Sequence, residues 1–208
     1  MSDPKGVLIV MAKRPQLGRA KTRLAASVGN ELALSFYQKM LLKTLQTASK
    51  VPFEVVVAAT GDGNYEFPSG FHLQEQVPGD LGLRMASAFS LAFEKFSQLP
   101  VVMIGTDCYE LTPAIIEQSF ELLQTKDVVL GPSEDGGYYL IGMKTVHPTL
   151  FSEMEWSVET VLVETQKRLK LANVTCAEVD TLNDIDTLDD LKKSALYHEV
   201  EQQLNELK

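Results

Sequence analysis

The chain alternates short apolar runs with segments of helical periodicity along almost its whole length. Apolar runs at residues 7–12 and 101–105 are typical of strands buried on both faces of a sheet, and residues 53–59 form another predicted strand. Helical spacing separates them, as after Asn30, where apolar side chains recur every three or four residues. This alternation predicts an α/β fold with a mostly parallel sheet and helices on both faces. Ligands of such sheets bind at the carboxyl ends of the strands.

Cap residues place three of the predicted helix starts. Thr112 precedes Pro113, a cap residue followed by proline at the first helical position. Ser157 is the expected cap of a later helix, and Thr187 with Asp190 forms a capping box that opens the last helix. The other predicted elements are a strand near residues 71–76, a helix at 83–97 and a strand at 174–179.

Length and composition predict one soluble domain. A chain of 208 residues, 45% hydrophobic and 23% charged, is long enough for one well-buried core, so we expect a single domain over residues 1–208. No stretch reaches the roughly 18 to 20 apolar residues of a transmembrane helix, and Cys108 and Cys176 lie outside any CxxC pattern. We therefore expect a cytoplasmic protein with reduced thiols. The net charge of -9 disfavours nucleic acid and anionic membranes as partners.

A basic loop after the first predicted strand is the local exception to this acidic balance. Five cations fall within residues 13–23, namely Lys13, Arg14, Arg19, Lys21 and Arg23. Backbone N–H groups at a helix start together with several cations can hold a di- or triphosphate. The loop has neither the Walker nor the GxGxxG glycine spacing. A solvated basic loop with no ligand is the alternative interpretation.

Carboxylates follow two other predicted strands. Asp107 comes directly after a buried run and should emerge at the carboxyl edge of the sheet, where it could hold a divalent ion or simply cap a turn. Asp184 and Asp186 stand at i and i+2, which in extended chain points both to one side and suits a shared cation. Alternatively, they only precede the last helix, whose dipole favours carboxylates at its N-terminus. No metal-ligand spacing links the three histidines, which we interpret as structural: His72, His147 and His198.

An acidic, glycine-rich turn joins two apolar runs within residues 128–143. The turn contains Glu134, Asp135, Gly136 and Gly137. Adjacent glycines permit positive φ and close approach of a ligand, and Asp135 offers a charge or a metal ligand. An ordinary β-hairpin explains the same pattern equally well.

Six motifs occur in an order that resembles the bacterial radical-SAM/selenodomain-associated transferase 1 family. They are MAKRPQLGRAKTRLA at residues 11–25, GDLGLRM at 79–85, GTDC at 105–108, GPSEDGGYYLIG at 131–142, a segment at 151–157 that ends in Trp-Ser, and DIDTLDDL at 184–191. The resemblance implies the Rossmann-like glycosyltransferase-A fold of the nucleotide-diphospho-sugar transferase superfamily. Some members are labelled arsenosugar-biosynthesis glycosyltransferases. More distantly, AKTRLA and the aspartates are similar to 2-phospholactate guanylyltransferases, which use magnesium.

The resemblance implies a role for each group of candidate residues. The donor nucleotide and its phosphates would be bound by Lys13, Arg14, Gly18, Lys21, Arg23, Gly79, Asp80, Gly82 and Arg84. Mg²⁺ or Mn²⁺ would be held by Asp107, Asp184 and Asp186. The acceptor or sugar would contact Glu134, Asp135, Gly136, Gly137, Trp156 and Ser157. Asp107 and Asp135 would be catalytic, with Asp135 either orienting sugar hydroxyls or acting as a general base.

Three functions follow from these patterns. Glycosyl transfer from a nucleoside-diphosphate sugar to a small-molecule acceptor is favoured by the resemblance and by the acidic turn. Nucleotidyl transfer from a nucleoside triphosphate is favoured by the basic loop, because a pyrophosphate leaving group carries more negative charge. A non-catalytic nucleotide-binding module is the third. Tyr109 and Val158 stand where the resemblance leads us to expect proline and threonine.

Overall fold

The computed structural model describes residues 5–205 and contains one seven-stranded sheet with helices on both sides. In chain order the elements are β1 (Val7–Lys13), α1 (Thr22–Val28), α2 (Asn30–Ala48), β2 (Glu54–Thr60), β3 (His72–Glu75), α3 (Leu81–Lys95), β4 (Val101–Ile104), α4 (Pro113–Leu122), β5 (Val128–Pro132), β6 (Tyr138–Met143), a 3₁₀ turn (Pro148–Leu150), α5 (Val161–Leu171), β7 (Cys176–Glu178), α6 (Leu188–Lys193) and α7 (Ala195–Asn205). No helix within that range combines the length and apolar character needed to cross a membrane.

The direction of one strand brings the acidic turn to the edge of the sheet where ligands are expected. The strand order is β3-β2-β1-β4-β6-β5-β7, and only β6 runs against its neighbours. Since β5 is parallel to β1, the turn at residues 133–137 lies at the same edge as the loops after β1 and β4. The predicted mostly parallel sheet and the predicted hairpin are both confirmed.

The sheet is buried on both faces, which explains why its strands are continuously apolar. Along β1, Val7 and Ile9 join a core cluster with Phe89 of α3, while Leu8 joins the opposite cluster with Ile116 of α4. Successive side chains of one strand thus enter two cores. This alternation within an unbroken apolar run confirms the predicted helices on both faces.

The predicted start of α5 at Ser157 is wrong. Ser157 has a φ of +65°, whereas an N-cap residue typically has extended backbone, and the helix begins four residues later at Val161. The segment before the helix packs on the acidic turn at Gly136, and the Leu162 N–H of the first helical turn donates to the Gly136 carbonyl at 2.9 Å. A tertiary contact therefore displaces the helix start that the sequence indicates.

The last predicted helix is in fact two helices. The capping box of Thr187 and Asp190 is confirmed at the start of α6, with both reciprocal hydrogen bonds present. Ser194 then has extended backbone, and the Ala195 N–H donates to Glu110 Oε1 at 2.7 Å. A carboxylate from the loop before α4 thus satisfies a donor at the start of α7 and stabilises the break.

Candidate functional site

A cavity of about 750 Å³ opens at the carboxyl ends of β1 and β4. Its walls are the loop after β1, the start of α3, the turn after β5 and the loop before α6. This is the edge where open α/β sheets bind ligands, and the volume lies within the range of small-molecule sites. The predicted site residues that line it are Lys13, Lys21, Arg23, Arg84, Asp107, Asp135, Gly137, Trp156, Ser157, Asp184 and Asp186.

Lys21 lies at the centre of the charged part of this cavity. Its Nζ is 2.8 Å from Asp107 Oδ1 and 2.7 Å from Asp186 Oδ1, and its side chain is only 5% exposed. Arg23 Nη2 bonds the other oxygen of Asp186. Burial lowers the pKa of Lys21, but the two carboxylates outweigh it and hold that pKa above its ordinary value. Lys21 is therefore a buried cation shared by two carboxylates.

Backbone contacts bring these three residues together. The Ile185 N–H donates to the Asp107 carbonyl at 3.0 Å, which fastens the loop before α6 to the loop after β4. Lys21 precedes α1 with a φ of +48°, in the left-handed region that side chains other than glycine rarely adopt. The fold thus holds Lys21 in an unfavourable conformation that directs its ammonium between Asp107 and Asp186.

The two aspartates at i and i+2 have different partners. Asp184 Oδ1 accepts a hydrogen bond of 2.6 Å from Cys108 Sγ. Burial, followed by the charge of Asp107, raises the pKa of Asp184 to about 7. For Asp186, burial raises the pKa, but Lys21 and Arg23 outweigh it, so its pKa is below the ordinary value. Burial and the charge of Asp184 raise the pKa of Cys108, which stays a protonated donor.

The donor set at this site fits a hard divalent cation. Asp107 and Asp186 each direct one oxygen at a single cation, the Lys21 ammonium, so the two carboxylates converge as metal ligands must. Within residues 5–205 no group of three or more His, Cys, Asp or Glu is arranged to hold a metal ion. Mg²⁺ is commonly bound by one or two carboxylates with substrate phosphates and water, and two converging carboxylates suit that arrangement.

The acidic turn presents Asp135 to the cavity and fixes this side chain by local hydrogen bonds. Asp135 Oδ1 accepts hydrogen bonds from Ser133 Oγ and, at 3.0 Å, from the Gly137 N–H. Gly136 has a φ of +86°, and a Cβ there would lie 2.0 Å from the Glu159 carbonyl oxygen. Gly136 therefore lets the turn pack against the segment before α5. Glu134 is exposed and, like Gly136, does not line the cavity.

The cations of the loop after β1 divide into two groups. Lys13 lines the cavity, and its Nζ donates to the Arg19 carbonyl at 2.6 Å. Arg14 instead lies outside the cavity lining and forms a two-point ion pair with Glu75. Gly18, with a φ of +71°, shapes the loop and also lies outside the lining.

The segment at the start of α3 mostly shapes the helix rather than the cavity. Asp80 caps α3 by accepting from the Leu83 N–H at 2.8 Å, directly after Gly79 with its φ of +136°. At Gly82 a Cβ would lie 2.4 Å from the Phe151 carbonyl oxygen, so only glycine lets residues 151–156 pack here. Within this segment the predicted residue that reaches the cavity is Arg84.

Sequence reasoning missed several cavity residues, among them Tyr37 and Gln76. The Tyr37 hydroxyl accepts from the Lys13 N–H at 2.9 Å and donates to the Lys13 carbonyl at 2.6 Å. The Gln76 amide donates to the Ala58 carbonyl at 2.7 Å. Gln76 follows β3 at its carboxyl end, so the rule that found Asp107 could have found it. Tyr37 is one of the buried residues of α2, and no sequence signal distinguishes it from the core.

The two departures from the resembled family lie in different places. Tyr109 is outside the cavity lining, and its hydroxyl donates to Glu199 Oε1 of α7 at 2.6 Å. Val158 lines the cavity next to Ser157. Only the second departure therefore contacts the space where a ligand would bind.

Solved structures identify the fold. A Desulfovibrio desulfuricans protein assigned as a nucleotide-diphospho-sugar transferase superposes with a TM-score of 0.86 at 25% identity, over 98% of both chains. Rv0371c of Mycobacterium tuberculosis, solved with manganese, has a TM-score of 0.58 at 14% identity over 91% of this chain and 97% of its own. The 4-diphosphocytidyl-2C-methyl-D-erythritol synthase of Anaerococcus prevotii has a TM-score of 0.59 at 14% identity, over 95% of this chain and 100% of its own. The predicted glycosyltransferase-A-like fold is confirmed.

The family is shown by sequence. The chain belongs to the family described as "Uncharacterized protein conserved in bacteria (DUF2064)", whose sequence profile matches residues 41–158, more than half of the chain. No curated protein matches the chain. The family description states no activity, so function must be argued from the cavity itself.

Proposed function

We propose that the chain is a divalent-metal-dependent transferase that uses a nucleotide-activated donor and a small-molecule acceptor. One observation carries this proposal: Lys21 and Arg23 form ion pairs with Asp107 and Asp186 in a cavity at the carboxyl edge of the sheet. Cations there suit phosphates, and converging carboxylates suit the ion that accompanies them. The order of motifs supports membership of the radical-SAM/selenodomain-associated transferase 1 group.

The basic loop would bind the donor's phosphates. Lys13, Lys21 and Arg23 all line the cavity near the start of α1. Lys21 is largely desolvated, so its attraction for a phosphate is screened less by water than that of a surface lysine. Arg23, which is 67% exposed, can reorient towards an incoming ligand at little cost.

The metal would be held by Asp107 and Asp186, with Asp184 as the third carboxylate that the resemblance implies. When bound, such an ion neutralises charge on the donor phosphates and on the leaving group. The protein itself supplies a cation in Lys21, which can stabilise the same charge. The manganese complex of the structurally similar Rv0371c supports a divalent ion in proteins of this fold.

Glycosyl transfer is the reaction that we place first. Asp135 lies on the exposed turn at the cavity wall, where a carboxylate can orient sugar hydroxyls or accept the acceptor's proton. The turn fixes Asp135 Oδ1 through Ser133 and Gly137, and this pre-organises the side chain. Trp156 and Ser157 line the cavity too and would contact the acceptor.

Nucleotidyl transfer is the second candidate, and the cations of the loop favour it. Besides Lys13, Lys21 and Arg23, the cavity is lined by Arg19. A departing pyrophosphate places more negative charge at this wall than a diphosphate that is held mainly by a metal ion. Four cations on one wall are therefore better suited to pyrophosphate.

A thermal-shift screen of nucleoside triphosphates and nucleotide sugars, each with and without Mg²⁺ or Mn²⁺, tests the proposal. A ligand at about a hundred times its dissociation constant should stabilise the fold by roughly 2.7 kcal/mol. Released nucleoside diphosphate would identify glycosyl transfer, and released pyrophosphate nucleotidyl transfer. The transferase proposal fails if no nucleotide shifts the melting temperature with either metal. If Asp107→Asn leaves binding and metal dependence untouched, the chain is a non-catalytic nucleotide-binding module.

A further inference from the structure

Lys21 occupies the point at which Asp107 and Asp186 converge. One ammonium donates to both carboxylate oxygens, at 2.8 Å and 2.7 Å. The Lys21 side chain is 5% exposed, so water does little to weaken either contact. These are the oxygens that a divalent ion would need in the proposed function.

A divalent ion and the Lys21 ammonium cannot both use these oxygens. Two cations within a few ångströms of each other in a desolvated site repel strongly, and each oxygen faces the ammonium directly. Arg23 differs, because it bonds the other oxygen of Asp186 and is 67% exposed. Arg23 can remain where it is, whereas Lys21 must leave before a metal enters.

The contacts of Lys21 allow such a departure. Its side chain makes no capping bond to α1, although its φ of +48° and ψ of 52° place it at the helix start in the left-handed region. Its ammonium bonds Asp107 and Asp186, so a phosphate that offers the ammonium another partner competes directly with these two contacts.

We propose that Lys21 is an internal counter-ion that keeps a divalent metal out of the Asp107–Asp186 pair until the donor's phosphates draw its ammonium away. The inference rests on the proposed function and adds an order of binding to it. Phosphate binding frees the two carboxylate oxygens for the metal and makes Lys21 a phosphate ligand. Metal and donor therefore strengthen each other's binding, and the metal alone binds weakly.

Titration of the nucleotide-free protein with Mn²⁺, followed by electron paramagnetic resonance of the free ion, tests this competition. Lys21→Met, which keeps side-chain length and removes the charge, should bind Mn²⁺ about tenfold more tightly than the wild type. Arg23→Met is the matched control, since it removes a neighbouring charge from outside the convergence point, and should change the affinity much less. Equal Mn²⁺ affinity in the wild type and Lys21→Met overturns the inference but leaves the proposed function intact.

Lysine labelling of the wild type gives a second measurement that requires no variant. Reductive methylation read by mass spectrometry should be slow at Lys21 and should accelerate at saturating Mn²⁺, because the ion expels the ammonium. Unchanged labelling while Mn²⁺ is seen to bind overturns the inference. If neither the wild type nor Lys21→Met binds Mn²⁺, with or without nucleoside triphosphates, the metal of the proposed function fails too.

Discussion

The loop after β1 and the turn between β5 and β6 face the same cavity but are held in place differently. The loop depends on distant partners: Lys21 bonds Asp186, which is 165 positions away. The turn combines local bonds of Asp135 to Ser133 and Gly137 with backbone bonds to Leu162 and Leu182. Charge pairing across the fold therefore shapes one wall, and local bonds together with backbone hydrogen bonds shape the other. Three pairs of variants and one single variant can break or sharpen this contrast.

The largest effect is expected for a carboxylate that pairs with the loop after β1. Asp107→Asn removes one of the two carboxylates around Lys21 and should lower kcat/KM about a thousandfold, or roughly 4 kcal/mol. Steady-state kinetics with the donor found in the nucleotide screen measures it. Asp189→Asn, a surface carboxylate of α6 paired with Lys192, is the control and should leave kcat/KM unchanged. A loss below tenfold in Asp107→Asn would remove Asp107 from the catalytic residues.

The next effect concerns two glycines that share a left-handed conformation. Gly136 on the turn has a φ of +86° and no room for a Cβ, so Gly136→Ala should lower the free energy of unfolding by about 3 kcal/mol. Gly18 on the loop has a φ of +71° and open space, so Gly18→Ala should cost only about 1 kcal/mol. Urea denaturation measures both. Equal costs would contradict the tight contact between Gly136 and Glu159.

A smaller effect should separate the structural and chemical roles of Asp135. Asp135→Ala loses the acceptor for the Gly137 N–H and should destabilise the protein by about 1 kcal/mol. Asp135→Asn keeps a side-chain oxygen and should stay within about 0.5 kcal/mol of the wild type. Both variants should lose transferase activity. Full activity in Asp135→Asn would assign Asp135 to the turn alone.

The smallest effect is expected for Arg14, the loop cation that lies outside the cavity lining. The hydrogen bond from Arg14 lowers the pKa of Glu75 below its ordinary value of 4.5. The pair therefore stabilises the fold above that pH, and the stabilisation is lost as the pH falls and Glu75 becomes protonated. Because Glu75 is 65% exposed, Arg14→Gln should cost about 0.5 kcal/mol at pH 7 and progressively less as the pH falls below 4.5. A cost that does not change as the pH falls would mean that Arg14 acts through something other than Glu75.

The contrast between loop and turn also explains what the sequence could predict. Apolar runs predicted β1 and β4, because strands that are buried on both faces consist of apolar residues throughout. The Thr187–Asp190 capping box was predictable because its partners are three residues apart. The start of α5 at Val161 was not, since a contact between Leu162 and Gly136 decides it.

Within the candidate site, the sequence indicated which segments meet but not which atoms pair. The rule that ligands bind at the carboxyl ends of parallel strands correctly predicted that Asp107 lies at the cavity. The spacing of Asp184 and Asp186 suggested a shared cation, yet Cys108 bonds one and Lys21 the other. Neither partner is near in sequence, so no local pattern could distinguish the two carboxylates.

The backbone bond from Ile185 to Asp107 has a consequence for how the protein folds. It joins the final third of the chain to a loop near its middle, and the cavity needs both together with the loop after β1. Contacts of such high sequence separation form late, because the entropy of closing a long loop must be offset first. The cavity would therefore be complete only when the last part of the chain has docked, and partly folded molecules would contain helices and strands without it.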